Sequence, residues 1–379
     1  MAVPAPLSGG RPASATPPIR VLLVDDSAVV RGLASRWLST EAGIELVAMG
    51  LNGRDAVRLA GELSPDVVVL DIEMPELDGL SALPLILAAS PGVRILMAST
   101  LTHRNAEITL KALSLGATDY LPKPETGKLA AAADFRRDLI ARIRGLGRRR
   151  VPIGGGATIP GLRPVVTAAA PVPIAKVAPP TRPINKTVPE LVLIGSSTGG
   201  PQALQTVVKG LAGRLRQPLL IVQHMPPMFT TVMADQLAKL SSSPAVEAKD
   251  GMPIRPGHIY IAPGDYHMTV VRRLGSSVIA LDRTAPVNFC RPAVDPLFNS
   301  AVGAYGGNLL AAILTGMGSD GRRGCETLVD KGGNVIAQDE TTSVVWGMPG
   351  AVATAGLACA IRPLDDIAQT LLNFAGGKA

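Results

Sequence analysis

Leu191-Val192-Leu193-Ile194-Gly195-Ser196-Ser197-Thr198-Gly199-Gly200 passes from four aliphatic residues to three glycines within ten positions. The aliphatic run reads as a buried strand. The glycines permit a tight turn, and Pro201-Gln202-Ala203-Leu204 begins a helix. Gly195-x-Ser197-x-Gly199 is the spacing of a strand-to-helix elbow, which pushes a serine hydroxyl out at the edge of a sheet. Such a turn also leaves backbone N–H groups free at a helix N-terminus, where developing negative charge is stabilised. A turn without chemistry and a phosphate cradle are the other readings. The cradle would need a lysine after the glycines or a GxGxxG pattern, and neither is present.

Two later runs raise the catalytic reading. Leu219-Leu220-Ile221-Val222-Gln223-His224 is a second buried strand with His224 at its carboxyl end. Residues 309–314 form another, ending in Thr315-Gly316-Met317-Gly318-Ser319-Asp320-Gly321. Ser197, His224 and Asp320 thus each follow a strand of a parallel-type sheet. At one such edge a nucleophile, its base and an orienting carboxylate can meet. His224 could instead cap a strand and Asp320 could be a turn residue. His267 is a rival base, His258 reads as a turn residue, and His103 falls in the N-terminal half. The chain order Ser, His, Asp differs from the Ser, Asp, His of α/β-hydrolases. Between the second and third strands, residues 246–248, 259–262, 267–272 and 278–281 predict a mixed or antiparallel section. Arg272-Arg273-Leu274-Gly275-Ser276 is its hairpin turn. Residues 292–304 and 322–331 read as helices.

The 379 residues suggest two or three domains, and 47% hydrophobic content supplies large cores. Aromatics are only 3%, so those cores are aliphatic. The net charge of +7 is partly carried by Arg142, Arg144, Arg148, Arg149 and Arg150, expected on a solvated helix end. No helix-turn-helix ending or interleaved aromatic platform supports nucleic-acid binding. Cys290, Cys325 and Cys359 match no metal spacing and read as free thiols of a reducing cytoplasm. No signal-peptide pattern opens the chain. The uncharged stretches 296–319 and 343–361 are broken by Gly, Asn or Pro, against a spanning helix.

Residues 1–18 are rich in Pro, Ala and Ser and predict a disordered tail. From 19 to 146, short aliphatic strands near 21–24, 44–49, 67–70, 93–97 and 118–121 alternate with amphipathic helices. That is the pattern of a doubly wound parallel α/β domain. Asp25-Asp26, Asp71, Ser99-Thr100 and Lys123-Pro124 fall at the carboxyl ends of those strands, where such domains bind ligands. Three carboxylates at one edge suit Mg²⁺, and a lysine opposite can pair with Asp71 or an added phosphoryl group. The Lys123–Pro124 bond is of the kind for which the cis form is accessible. Residues 147–187 lose all periodicity and read as a Pro/Ala-rich, semi-extended linker of low order. Residues 188–379 form the second domain.

The first domain resembles a response-regulator receiver. The matching residues are Val24-Asp25-Asp26-Ser27, Leu70-Asp71-Ile72-Glu73-Met74-Pro75, Asp78-Gly79, Ser99 and Asp119-Tyr120-Leu121-Pro122-Lys123-Pro124. The resemblance implies a flavodoxin-like fold and Asp71 as phosphoacceptor from a histidine kinase. It also implies Mg²⁺ on Asp25, Asp26, Asp71 and the Glu73 carbonyl, with Ser99, Tyr120 and Lys123 as the switch set.

Residues 190–375 resemble the effector domain of the chemotaxis protein-glutamate methylesterase family. The runs are Ile194 to Gly200, Gln223-His224-Met225-Pro226-Pro227, Ile261-Ala262-Pro263-Gly264-Asp265, Arg291-Pro292-Ala293-Val294-Asp295, Leu314 to Gly321 and Trp346-Gly347-Met348-Pro349. Ser196 departs from the family's usual Ala and adds a second hydroxyl. This resemblance implies a doubly wound, mainly parallel α/β effector. Ser197, His224 and Asp320 would be catalytic, with an oxyanion site near the backbone of Thr198 and Met317. The substrates would be γ-glutamyl methyl esters, and glutamines, of chemoreceptors. The resemblance further implies a cytoplasmic enzyme whose esterase step needs no cofactor, and no nucleic acid or membrane insertion is expected. The receiver is expected to cover the effector's cleft until Asp71 is phosphorylated.

Overall fold

The computed structural model describes residues 17–123, 129–147, 179–273 and 275–378. Residues 1–16 of the expected tail, most of the linker, Arg148 to Arg150 and the Lys123–Pro124 bond lie outside the described residues. In the N-terminal unit the elements are β1 (Ile19–Val24), α1 (Ala28–Leu38), β2 (Ile44–Gly50), α2 (Gly53–Leu63), β3 (Val67–Asp71), α3 (Gly79–Ala89), β4 (Arg94–Ser99), α4 (His103–Ser114), β5 (Asp119–Pro122) and α5 (Leu129–Leu146). The sheet order is β2-β1-β3-β4-β5, all parallel. The order reverses between β1 and β3, so the crevice for a ligand opens where Asp25 and Asp71 end their strands. Side-chain oxygens start the helices: Ser27, Asn52, Asp78 and Thr102 each accept an N–H from the first turn.

The second unit contains β6 (Leu191–Ser196), α6 (Gly200–Leu211), β7 (Leu219–Gln223), α7 (Phe229–Leu240), β8 (Ala245–Glu247), β9 (Ile259–Ile261), β10 (His267–Arg273), β11 (Ser276–Asp282), α8 (Val294–Tyr305), β12 (Leu309–Ile313), α9 (Arg322–Asp330), β13 (Asn334–Gln338), α10 (Met348–Thr354), β14 (Ala360–Arg362) and α11 (Leu364–Ala375). Seven strands make one sheet in the order β14-β13-β12-β6-β7-β9-β8. Its pairs are all parallel. Among the strands of the described residues, β10 and β11 alone pair antiparallel, as a separate ribbon. The expected mixed section therefore splits: β8 and β9 extend the main sheet, because the buried Ile259, Tyr260 and Ile261 continue the core laid down by β7. The strand order reverses between β6 and β12, which puts the second crevice at the glycine elbow.

The linker's last residues are not loose. Asn185 and Asn334 exchange bonds of 3.0 and 2.7 Å, and the Arg182 N–H donates to the Ala358 carbonyl at 2.9 Å. Asn334 starts a fully buried strand, so its amide needs these partners, and they pin the entry to the second unit.

The two units meet in one apolar cluster. α4 lies against α6 and α7, and Leu110, Leu113 and Ala117 share a core with Ala203, Phe229 and Met233. The Tyr120 ring stacks on Phe229 with centroids 4.8 Å apart, at 10°. Gly145 of α5 passes close to Val345 and the sulfur of Met317, where a Cβ would sit 3.5 and 3.6 Å from them. No helix among the described residues is long and apolar enough to cross a membrane.

Candidate active site

The elbow forms as its glycines require. Gly199 takes φ +74°, and a Cβ on Gly200 would strike the Gln223 amide oxygen at 1.9 Å. That amide organises the crevice. Its Nε2 donates to the carbonyls of Ser197 (2.9 Å) and His224 (3.3 Å), and its Oε1 accepts from the Ser196 hydroxyl at 2.7 Å. The His224 N–H donates to the Ser196 carbonyl at 3.2 Å. Ser197 and His224 are thus tied backbone to backbone across β6 and β7. Ser196 is fully buried and spends its hydroxyl on Gln223, whereas Ser197 is partly exposed. Among the described residues the Ser197 hydroxyl bonds neither imidazole nitrogen.

His224 Nε2 donates to Asp320 Oδ2 at 2.7 Å, and both side chains are nearly buried. On the other side of the ring, Cys290 Sγ lies 3.4 Å from Nδ1. Burial alone would lower the His224 pKa. The Cys290 sulfur and the Asp320 carboxylate more than offset this and raise it to about 10. Burial would also raise Asp320. The bond from His224 and the N–H groups of Val294 (2.6 Å) and Asp295 (3.2 Å) hold it below the usual carboxylate range instead. Those two N–H groups open α8, so Asp320 sits in the positive field of a helix N-terminus. Asp295 returns the contact: its Oδ1 accepts the Gly324 N–H of α9 at 2.8 Å. Two helices exchange caps through two neighbouring carboxylates, and the Asn288 amide reaches both, at 3.1 Å (Asp320) and 3.4 Å (Asp295).

The N–H groups of Thr198 and Met317 donate to no protein acceptor among the described residues, as an oxyanion site needs. Gly316 lies beside Ser197, where a Cβ would come within 2.9 Å of the serine's own. The rival base His267 is wholly buried; its Nε2 donates to the Ala285 carbonyl (3.2 Å) and its Nδ1 accepts the Ala293 N–H (3.2 Å). Both nitrogens hold the loop ahead of α8, leaving none for catalysis. His258 caps the Pro256 carbonyl at 3.0 Å in a turn.

The N-terminal crevice gathers Asp25, Asp26 and Asp71, whose ligand oxygens lie within 4.8 Å of one another. Lys123 Nζ is 2.7 Å from both Asp25 and Asp71. Burial pushes the Asp71 carboxyl up to about 6 against the pull of Lys123. Three carboxylates on one rim are the donor set of a hard, oxygen-ligated cation such as Mg²⁺, and Glu73 lies on the exposed loop two residues beyond Asp71. The buried Ser99 hydroxyl accepts from Thr109 at 3.0 Å, and the Lys123 N–H donates to the Ser99 carbonyl at 2.7 Å.

The two crevices are joined by contacts that sequence reasoning did not foresee. Thr198 Oγ1 donates to Asp119 Oδ2 at 2.9 Å, one residue from Ser197. Arg142 Nε lies 3.2 Å from the same oxygen as an ion pair. Arg142 therefore belongs to the domain interface and not to a solvated helix end; a buried Asp119 demands its charge. Burial raises the Asp119 pKa, with Arg142 and Thr198 opposing it. Arg137 of α5 lies over the Phe289 ring, 5.2 Å from its centroid.

A family model described as CheB methylesterase matches residues 192–371, and one described as response regulator receiver domain matches 21–134. A protein of Nitrobacter hamburgensis called protein-glutamate methylesterase/protein-glutamine glutaminase is 53% identical over 381 residues, spanning 100% of this chain and 98% of its own. The crystal structure of the Thermotoga maritima CheB methylesterase catalytic domain is 40% identical, covering 49% of this chain and 98% of its own (TM-score 0.48). That of the response regulator domain of Thermotoga maritima CheB is 37% identical, covering 35% and 98% (TM-score 0.32).

Proposed function

This chain belongs to the CheB methylesterase family, and we propose that it removes methyl groups from γ-glutamyl methyl esters of chemoreceptors with Ser197, His224 and Asp320, under control of Asp71. The observation that carries the reading is the His224–Asp320 bond of 2.7 Å beside the Gln223-tied elbow of Ser197. Asp320 fixes Nε2 as the protonated nitrogen, which leaves Nδ1 to take the Ser197 proton. The serine oxygen attacks the ester carbonyl, and the N–H groups of Thr198 and Met317 receive the oxyanion. One such donor is worth about 3 kcal/mol. The imidazolium returns its proton to the leaving methoxide, and water then resolves the acyl-enzyme by the same path. With a glutamine substrate, ammonia leaves in place of methanol.

The receiver acts as the gate. Asp119 engages Thr198 next to the nucleophile, and α4 and α5 lie across the elbow and the Met317–Val345 side. Asp25, Asp26 and Asp71 would hold Mg²⁺, which screens the charge of an incoming phosphoryl group. Lys123 would then pair with phosphorylated Asp71 and draw β5, with Asp119 and Tyr120, away from the effector. The kinase that feeds Asp71 and the receptors that are demethylated are the partners this scheme requires. The test is methanol release from a methylated receptor, with and without a small-molecule phosphodonor. Release that rises with the phosphodonor and vanishes in Ser197→Ala supports the scheme; release that survives Ser197→Ala sinks it.

A further inference from the structure

The turn from Val287 to Cys290 grips the His224–Asp320 pair from both ends. Val287 and Cys290 exchange backbone bonds of 3.1 and 2.9 Å, so the turn closes on itself. Its two central residues, Asn288 and Phe289, have φ of 52° and 64°, a region that disfavours side chains, phenylalanine above all. The conformation aims Asn288 Nδ2 at Asp320 Oδ1 (3.1 Å) and Cys290 Sγ at His224 Nδ1 (3.4 Å). Phe289 points out between them, 82% exposed, beneath the receiver's Arg137.

We propose that Asn288 and Cys290 are positioning residues for the general base: Asn288 holds the Asp320 carboxylate in place, and the Cys290 sulfur holds the imidazolium ring by accepting its Nδ1–H. The inference rests on the triad reading above. Cysteine sulfur is a weak acceptor, so the contact is given up when the ring loses its Nδ1 proton and the Ser197 hydroxyl takes its place. The amide is a neutral donor set between two carboxylates that would otherwise face each other unscreened. The charged and titratable groups around the pair are Asp295 from α8, Cys325 from α9, Cys290 from the turn, and Arg142, with its partner Asp119, from the receiver side.

The two residues act on the base with opposite sign. Without the amide, Asp320 binds its shared proton more tightly, and the base releases its own only at higher pH. Without the sulfur, one cause of the raised His224 pKa is gone, and the base is freed at lower pH. The experiment is the pH dependence of kcat/KM for the full chain, wild type against Asn288→Gly and Cys290→Ala. Glycine keeps the left-handed backbone, so it removes the amide and spares the turn. Expected are an acid limb moved up for Asn288→Gly, with three- to tenfold less activity at pH 7 that recovers in alkali. Cys290→Ala moves the limb down, and KM changes in neither. The chain has four histidines, so ring-nitrogen NMR on Ser197→Ala can follow His224 independently of turnover. Limbs that superimpose on wild type, or rates scaled down evenly at every pH, overturn the proposal. If Ser197→Ala itself retains full activity, the triad reading falls; if it is inactive and the limbs do not move, only the positioning role falls.

Discussion

Thr198→Val removes one hydroxyl from the domain interface and almost nothing else. The valine has the same shape, and the backbone N–H beside Ser197 is kept. What is lost is the 2.9 Å bond to Asp119, a carboxylate only 3% exposed. A hydrogen bond to a charged group contributes about 1.5–3 kcal/mol net. Arg142 still neutralises Asp119, so the lower half of that range applies, about 2 kcal/mol. In the undocked chain water satisfies both groups, so the loss falls on the docked state alone. At about 1.4 kcal/mol per factor of ten, the open fraction rises roughly 30-fold. The assay is esterase rate with and without phosphodonor, taken as a ratio, which cancels any direct effect of valine on the chemistry. The ratio should collapse toward one because the unstimulated rate climbs. The reasoning is refuted if the wild type shows a large stimulation and Thr198→Val keeps it undiminished.

Ser196→Ala should retain esterase activity within a few-fold and lose about 1 kcal/mol of stability in urea melts, the net worth of its bond to Gln223. Asp71→Asn should abolish stimulation by the phosphodonor and leave the unstimulated rate unchanged; chelation of Mg²⁺ should do the same to the unaltered chain. Because His224, as the proposed base, would have to be unprotonated to act and its pKa is raised to about 10, kcat/KM should climb with pH. A slope near one from pH 6 to about 9 is expected; a plateau already at pH 7 would contradict the bias toward the imidazolium. Asp320→Asn should cut kcat by about three to four orders of magnitude.

The alternating strands and helices of the first unit were legible because each strand is a short aliphatic run closed by polar residues, as Val67 to Asp71 shows. The elbow was legible because glycine at Gly195, Gly199 and Gly200 answers a steric demand that can be read from spacing. The region after Val344 was harder. α10 and β14 are seven and three residues long, in an uncharged stretch with no period to read. The parallel placement of β8 depends on its partner β9, which no local pattern announces. Asn288, Cys290 and Asp295 escaped as site residues because their meaning lies in contacts 25 or more positions away. Tyr120, implied as a switch residue, lies in the interface, stacked on Phe229. The Thr198–Asp119 contact joins two domains across 79 positions, and only docking brings the two residues together.

Asp320 has a second employment, as the anion that seats the first turn of α8, while Asp295 does the same for α9. In the proposed scheme chemistry and scaffold share one side chain, and a substitution there loosens α8 as well as idling the imidazole. An inert decoy for trapping a receptor on this enzyme is better made at Ser197, whose hydroxyl holds no hydrogen bond among the described residues.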